Sequence, residues 1–416
     1  MILHRALLLA VFCVSTQSLS ARVIRVCDAC PMRSLKEAIG AAAPFDTIEV
    51  ESGVYKEGRI DIFKPLRILG INHPVIDGEG KGHVIYVDSA DVTLEGLLVQ
   101  NSGTSDLEEF AGIYVEHSER CRIIGNHLKN NTYGVYISNS NHCIVQDNQI
   151  SGAHDQELTA GNGVHLFHAD HIEILSNDVL LHRDGLYFEF SENLKIRHNR
   201  VHGNLRYGMH FMFSHNNTFE ENIFQDNPTG CAIMYSRGLK VTQNLFEKSL
   251  GFAAYGLLLK DIEGSNFQKN VFAGNTVGIY MEGATRNTFE ANQIKKNGWA
   301  VRILGSADEN SFKGNTFADN VFDVATNSRD SLNTFEGNFW SRYSGYDLDG
   351  NGVGDVPYRP VAIFGYWVNQ YAVLIMLLSA PVIEFLEVAE RVLPVITPVD
   401  LKDASPLLHP PPGTQM

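Results

Sequence analysis

The stretch GMHFMFSHNN, which begins at Gly208, places two methionines and two histidines within seven residues. Thioether sulfur and neutral imidazole are the ligands that soft metal ions such as Cu(I) prefer. Methionine also fills irregular gaps in hydrophobic cores, so composition alone does not separate a metal site from ordinary packing. The register of the surrounding sequence has to show which of the four side chains share a face.

The chain has 416 residues, and its central region repeats with steps of mostly 22 or 23 residues. We call the glycines that mark the repeat the anchor glycines: Gly112, Gly134, Gly163, Gly185, Gly208, Gly230, Gly256 and Gly278. An asparagine follows each anchor glycine fourteen positions later. A fixed period of short β-rich runs and Asn/Gly turns predicts a right-handed parallel β-helix of ~22-residue coils over residues 21–360. Stacked asparagine amides would hydrogen-bond from coil to coil.

Alternation of side chains along a strand assigns the faces of each coil. Residues one and three positions after the anchor glycines are apolar and are predicted to point inward, which makes Met209 and Cys231 core residues. Residues two and four positions after them point outward. This places His210 and Met212 on one outer face, with Met234 beside Met212 on the next coil.

Histidines concentrate around the same coils, because nine of the sixteen fall between His154 and His215. Clustering on consecutive coils favours at least one metal site, and neutral ligands on a rigid strand suit an ion that must be both held and released. The predicted copper ligands are His210, Met212 and Met234, with Glu189 and His165 as further candidates.

The cysteines give two further predictions. Cys27 and Cys30 form a C-x2-C pair. In an oxidising compartment a local disulfide is the simpler interpretation, and a pair of thiolate ligands for Cu(I) is the alternative. Cys121 and Cys143 fall in one inward column on adjacent coils, ~4.8 Å apart and within disulfide reach. We expect them to be buried free thiols.

A calcium-loop pattern follows the last coils, in the sequence DLDGNGVGD. Asp347, Asp349, Asn351 and Asp355 occupy positions 1, 3, 5 and 9 of that pattern. Position 12 is Tyr358 and not a bidentate glutamate, so a turn tied by Asx hydrogen bonds competes with bound calcium.

The two ends of the chain differ from the repeats. Residues 1–20 combine a basic start, an apolar run and small residues, which is typical of a secretory signal peptide and predicts export to a periplasm. Residues 361–400 are apolar and helical in pattern, and we expect them to dock into a membrane partner rather than to span the bilayer. Residues 401–416 are expected to be a disordered tail. The net charge of −15 argues against nucleic-acid binding.

Several motifs resemble a known family of nitrous oxide reductase maturation proteins, the NosD family of periplasmic right-handed β-helices. The most specific of them are LRYGMHFMFSHNN and GYDLDGNGVGDVPYRP, and others include CDACPMRSLKEAI and NGWAVRILG. The resemblance implies a His-aromatic-Met copper motif at His210, Phe211 and Met212 and a docking element after Pro360.

The resemblance also implies a function and partners. The protein would receive copper from a lipoprotein chaperone and support assembly of the copper–sulfide cluster of apo nitrous oxide reductase. It would act with an ABC transporter permease and its ATPase, held at the inner membrane through that transporter and without catalytic activity of its own.

Two other classes of function remain open from the residues. Many β-helices are polysaccharide lyases or epimerases, which need clustered carboxylates and cations on one outer sheet. Here Glu116, Glu189, Glu282 and Lys260 are spread over different coils, although outward tyrosines could stack on sugar rings. A copper-independent scaffold that holds client and transporter together is the third class, because methionine-rich surfaces also bind proteins.

Overall fold

The structure, a computed structural model, describes residues 21–152, 159–328, 330–392 and 401–411. The predicted signal peptide and His154 lie outside these residues. Each complete coil contributes one strand to each of three parallel sheets, with neighbouring strands of a sheet coming from successive coils. The chain is therefore a right-handed parallel β-helix, as the repeat predicts.

The three sheets run the length of the solenoid. The first sheet has 14 strands: Val23–Val26, Thr47–Val50, Arg67–Gly70, Thr93–Glu95, Arg122–Ile124, Ile144–Gln146, Glu173–Leu175, Lys195–Arg197, Thr218–Glu220, Lys240–Thr242, Asn266–Gln268, Thr288–Glu290, Ser311–Lys313 and Thr334–Glu336. The second has 13: Val54–Tyr55, Val75–Asp77, Leu98–Gln100, His127–Lys129, Gln149–Ser151, Asp178–Leu180, Arg200–His202, Ile223–Gln225, Leu245–Glu247, Val271–Ala273, Gln293–Lys295, Thr316–Ala318 and Phe339–Trp340. The third has 12: Ile60–Ile62, Ile85–Val87, Ala111–Glu116, Tyr133–Ser138, Val164–Phe167, Asp184–Glu189, Tyr207–Met212, Thr229–Met234, Tyr255–Lys260, Val277–Glu282, Trp299–Ile303 and Phe322–Thr326.

Seven of the eight anchor glycines lie in strands of the third sheet, and Gly163 directly precedes one, where neighbouring coils approach closely. A Cβ atom at Gly256 would lie 2.8 Å from the carbonyl oxygen of Gly278 and 2.9 Å from the Asn275 amide nitrogen. The columns one and three positions later are buried, so Met209 and Cys231 are core residues, as predicted. The central cluster of the core is apolar, with stacked phenylalanines such as Phe246 and Phe272 filling its C-terminal half.

The predicted asparagine ladder is present. The amide oxygen of Asn148 accepts hydrogen bonds from both the backbone nitrogen and the side-chain nitrogen of Asn126, at 2.9 and 3.1 Å. The Asn126 side chain also donates to the Leu94 carbonyl of the preceding coil. The same pattern continues coil by coil to Asn338 and satisfies the buried backbone at each turn.

Both predicted cysteine pairs are joined. Cys27 and Cys30 form a local disulfide between the first strand and helix α1 (Leu35–Ala41), which confirms the simpler interpretation. Cys121 and Cys143 are also disulfide-bonded, so the expectation of free thiols was wrong. Their Cα atoms are 4.5 Å apart, because the strand spacing of a parallel sheet places an inward column within bonding distance.

A helical segment covers the C-terminal end of the third sheet. It consists of helix α2 (Ile363–Gln370), a 3-10 helix (Ala372–Leu377) and helix α3 (Pro381–Val392). Phe364 and Val368 of α2 pack with Trp299 and Phe322 of the sheet. Within the described ranges, the helices fall short of the length and apolar content needed to cross a bilayer.

The tail after this segment differs from its expected disorder. Residues 401–411 pack on the last coil, and Asp403 is fully buried. Its carboxylate accepts from the backbone and side-chain nitrogens of Asn338 at 2.9 and 3.0 Å. Asp403 thus takes the position that the next asparagine of the ladder would occupy, and it closes the open end of the solenoid.

A buried aspartate in the last strand of the third sheet gives a prediction about the pH dependence of stability. Burial raises the pKa of Asp323 from 3.8 to about 6, although the Tyr358 hydroxyl donates to its carboxylate at 2.7 Å. Between about pH 4 and pH 6 the folded chain keeps a proton that the unfolded chain releases, so the free energy of unfolding falls as pH rises. We expect Asp323→Asn to gain about 2–3 kcal/mol relative to the wild type between pH 4 and pH 7. Urea unfolding of both proteins at the two pH values measures this, and parallel pH profiles would contradict it.

Candidate metal centre

The outer face of the third sheet brings three of the predicted residues into one row. Glu189, Met212 and Met234 are register partners on consecutive strands. Neighbouring parallel strands lie ~4.8 Å apart, so the two methionines start side by side. Both are half-buried. The row continues to Lys260, which pairs with Glu282 at 3.4 Å.

His210 lies two residues before Met212 on the same strand and the same face, ~7 Å away between Cα atoms. Contrary to the expectation of an exposed ligand, the side chain is buried, with 8% of its surface accessible. The rings of Tyr187 and Tyr207 cover it at centroid distances of 5.0 and 4.9 Å. The sequence register gave its direction correctly but could not show these covering rings.

The two ring nitrogens of His210 have different surroundings. Nδ1 lies 3.5 Å from the Asp184 carboxylate and 3.5 Å from Nη2 of Arg206. Nε2 is buried and has no hydrogen-bond partner. A buried polar nitrogen without a partner is costly unless something binds it, and neutral imidazole with one nitrogen oriented by a carboxylate is the usual arrangement of a metal-binding histidine.

Asp184 is the residue that orients His210, and it is fully buried. Its carboxylate accepts a 2.9 Å hydrogen bond from Nε of Arg206. Burial alone would raise the pKa of Asp184, but hydrogen bonds from His210 and Arg206 hold it below the usual value. The carboxylate is therefore charged and can accept a hydrogen bond from Nδ1 of His210.

Asp184 and Arg206 were not among the predicted site residues. The sequence did contain a sign of Asp184, in the column of residues directly before the anchor glycines. That column reads Ala111, Tyr133, Asn162, Asp184, Tyr207, Thr229, Tyr255 and Val277. Asp184 is its one charged residue, on the coil that precedes His210.

Tyr187 joins the histidine to the methionine row. Its hydroxyl lies 3.2 Å from the Glu189 carboxylate and 3.9 Å from the Met212 sulfur. Burial, together with Glu189, raises its pKa to about 12, so the phenol stays protonated and donates. Glu189 is thereby held beside Met212, as a neighbour of the candidate ligands.

His165 does not join this group. It shares the column of His210, but the strand of Tyr187 separates the two. The ring packs between Tyr136 and Tyr187 at 4.2 and 4.6 Å, and Nδ1 lies 3.2 Å from the Asn162 amide nitrogen. Burial lowers its pKa to about 3, so His165 is a neutral member of an aromatic stack.

An exposed aromatic ladder runs beside the methionine row, at the residue that directly follows the end of each strand. We use this name for His168, Phe190, Phe213 and Tyr235. Their rings stack at 4.9–5.3 Å and stay about two-fifths exposed at Phe190 and Phe213. The candidate metal centre thus opens beside an apolar strip on the solenoid surface.

The predicted calcium loop is tied by its own backbone. The Asp347 carboxylate accepts from the amides of Gly350 and Gly352 at 2.7 and 2.8 Å. Asp355 accepts from Leu348, and the Asp349 carboxylate accepts from Asn351. These contacts are those of the competing Asx turn, and calcium at Asp347, Asp349, Asn351 and Asp355 stays a prediction.

The orienting role of Asp184 is testable. Asp184→Asn keeps the shape of the side chain but removes the charge that fixes the Nδ1 proton. We expect Cu(I) affinity to fall about 10–100-fold, the usual cost of losing such a partner. Competition titration against a chromophoric Cu(I) chelator measures the change. Asp178→Asn, at the exposed carboxylate beside His202, is the matched control and should leave affinity unchanged.

The fold and the candidate centre define a class of protein: a solenoid that offers imidazole and thioether groups on the outer face of one sheet. Comparison of sequences identifies the family within that class. Residues 68–160 and 153–345 match the family described as periplasmic copper-binding protein (NosD). The chain belongs to this NosD family.

Two curated relatives agree with this assignment. The probable ABC transporter binding protein NosD of Stutzerimonas stutzeri is 30% identical over 376 residues, which cover 85% of each chain. The protein of the same name from Pseudomonas aeruginosa is 31% identical over 375 residues, which cover 85% of this chain and 86% of the relative.

Solved structures show the fold alone. The catalytic unit of the GH87 α-1,3-glucanase of Streptomyces thermodiastaticus superimposes with a TM-score of 0.58 at 14% identity, over 72% of this chain and 63% of the other. The N-terminal fragment of bacteriophage Phi29 gene product 12 gives a TM-score of 0.52 at 10% identity, over 73% and 63% of the two chains.

Proposed function

We propose that this protein carries Cu(I) in the periplasm and passes it to apo nitrous oxide reductase, without catalytic activity of its own. The ion is its cargo, received from a copper-donating lipoprotein and delivered for assembly of the copper–sulfide cluster. His210, Met212 and Met234 hold the ion in this proposal. An ABC transporter permease and its ATPase complete the assembly at the inner membrane.

The observation that carries the proposal is the orphaned Nε2 of His210. A buried nitrogen with an oriented partner ring nitrogen is prepared for a ligand, and the neighbouring outward column supplies the two thioethers of Met212 and Met234. Neutral N and S donors select Cu(I) over hard cations. All three donors stay on rigid strands, so an incoming partner can add a ligand and withdraw the ion without unfolding the site.

The exposed aromatic ladder supports a protein recipient. It borders Met212 and Met234 and presents apolar rings that solvent-facing turns would not otherwise need. A partner that covers this strip also covers the methionine row and excludes water during transfer. Half-buried methionines adapt to such a changing partner surface.

The C-terminal helical segment supports attachment to a membrane permease. Its inner face packs on the third sheet, while Tyr371, Met376 and Phe385 are 62–84% exposed. An apolar surface of this kind is typical of a docking site. The strand that carries His210 lies five strands from the sheet edge under α2, or ~24 Å, so cargo would be held clear of the membrane.

Transfer is the direct test of this function. The Cu(I)-loaded protein is mixed with apo nitrous oxide reductase, and copper in each is measured after separation. We expect copper to move to the reductase, and we expect the two proteins to bind each other more tightly when copper is present. Phe190→Ser combined with Phe213→Ser should slow transfer while leaving Cu(I) affinity unchanged.

The scaffold alternative gives the opposite result. A copper-independent adaptor would bind the reductase equally well with and without Cu(I), and no copper would move. Retention of all copper by the loaded protein in a stable complex would overturn the proposal.

A further inference from the structure

The Cys27–Cys30 pair is a feature that the proposed function does not use. Both residues are half-exposed in the loop between the first strand and α1. The carboxylate of Glu51 lies within 4.8 Å of both sulfur atoms. Among the described residues, this is the one place where three histidine, cysteine or acidic ligand atoms converge so closely.

The disulfide here contributes little to holding the fold together. The two cysteines are three positions apart, and closing so short a loop removes little entropy from the unfolded chain. The Cys121–Cys143 disulfide is buried and links residues 22 positions apart, so it is the structural one. An exposed disulfide is accessible to thiol–disulfide exchange, whereas a buried one is protected.

We propose that Cys27, Cys30 and Glu51 form a redox-gated site for a thiophilic d10 metal ion, either Cu(I) or Zn(II). A dithiol reductant opens the site: it is oxidised to its own disulfide, and two electrons and two protons pass to Cys27 and Cys30. Metal binding then releases those two protons, because thiolates are the ligands. The Glu51 carboxylate supplies the third donor.

The loop is shaped to keep both sulfurs together after reduction. The Cys30 amide donates to the Cys27 carbonyl at 3.1 Å, and the Cys27 amide donates to the Met32 carbonyl at 3.2 Å. These backbone hydrogen bonds do not depend on the sulfur–sulfur bond. Glu51 follows strand Thr47–Val50, and its amide donates to the Val26 carbonyl at 3.0 Å, so it too has a fixed position.

This site is separate from the candidate copper centre. It lies at the N-terminal end of the solenoid, whereas the His210 strand is six strands from that edge of the third sheet, ~29 Å away. Variants of one site therefore leave the other intact. In the oxidised protein the site is closed, since disulfide sulfur does not bind these ions as thiolate does.

The test uses the mature protein lacking the predicted copper ligands, His210→Ala with Met212→Ala. One sample is reduced with excess dithiol and desalted without oxygen, and a second is left oxidised. Each is titrated with Zn(II) and, separately, with Cu(I) against a competing chelator. We expect about one more equivalent of at least one ion in the reduced sample, with thiolate charge-transfer absorption.

Two variants test whether Cys27, Cys30 and Glu51 are the metal ligands. Cys27→Ser with Cys30→Ser, which keeps Cys121 and Cys143, should abolish the extra equivalent. Glu51→Gln keeps the disulfide and should weaken the reduced site at least tenfold. The proposal is overturned if reduction adds no metal binding, if the extra equivalent survives in the cysteine variant, or if Glu51→Gln has unchanged affinity.

Discussion

Replacing His210 and Met212 together by alanine is expected to abolish Cu(I) binding at the outer face of the third sheet. The change removes the imidazole whose Nε2 is unpaired and the thioether beside Met234. A single remaining methionine cannot hold Cu(I) against a competing chelator. With the Cys27–Cys30 disulfide left intact, copper per chain should fall from about one ion to none, measured by anaerobic titration followed by metal analysis of the desalted protein.

The fold should survive this change. Asp184 keeps its ion pair with Arg206, and the core columns are untouched. The matched control is His215→Ala with Met281→Leu, which removes the same two side-chain types from a turn and from the core. That control should bind copper normally. Unchanged copper stoichiometry in the His210 and Met212 variant would remove the basis of the proposed site.

The second large effect is expected at the C-terminal end, from Asp403→Ala. The buried carboxylate accepts from the Gly337 and Asn338 amides, the Asn338 side chain and the indole of Trp340, all between 2.9 and 3.1 Å. Alanine leaves these donors buried without an acceptor. We expect a loss of about 3–5 kcal/mol, measured by urea unfolding.

Asp403→Asn is the control, because it keeps an oxygen where every other coil of the ladder has an asparagine oxygen. It should retain most of the stability, and the alanine variant should also become sensitive to proteolysis between α3 and the solenoid. Equal losses in the two variants would show that the acceptor is not what closes the ladder. A loss below about 1 kcal/mol for alanine would show the same.

Much of the fold was predictable, because one period governs both local structure and packing. The anchor glycines set the register, and alternation then separated inward Met209 from outward His210 and Met212. The asparagine ladder followed from the same spacing. These are local and nearest-neighbour properties, which a repeat sequence encodes directly.

The parts that the sequence did not predict depend on contacts outside the repeat. His210 is buried because the rings of Tyr187 and Tyr207 pack against its ring. The repeat spacing does not encode the rotamers that produce these contacts. Asp403 closes the ladder although it lies 65 residues beyond Asn338. The helical segment between them interrupts the repeat, so the repeat spacing does not predict this contact. Asp184 was visible only as one charged residue in an otherwise uncharged column.

The copper site itself is the central claim, and X-ray absorption spectroscopy at the copper edge tests it most directly. The mature protein, loaded with about one equivalent of Cu(I) without oxygen, should show a Cu(I) edge with two sulfur scatterers and one nitrogen scatterer. His210→Ala should lose the nitrogen and Met234→Leu one sulfur. A first shell of oxygen and nitrogen only, with no sulfur, would contradict the assignment of His210, Met212 and Met234.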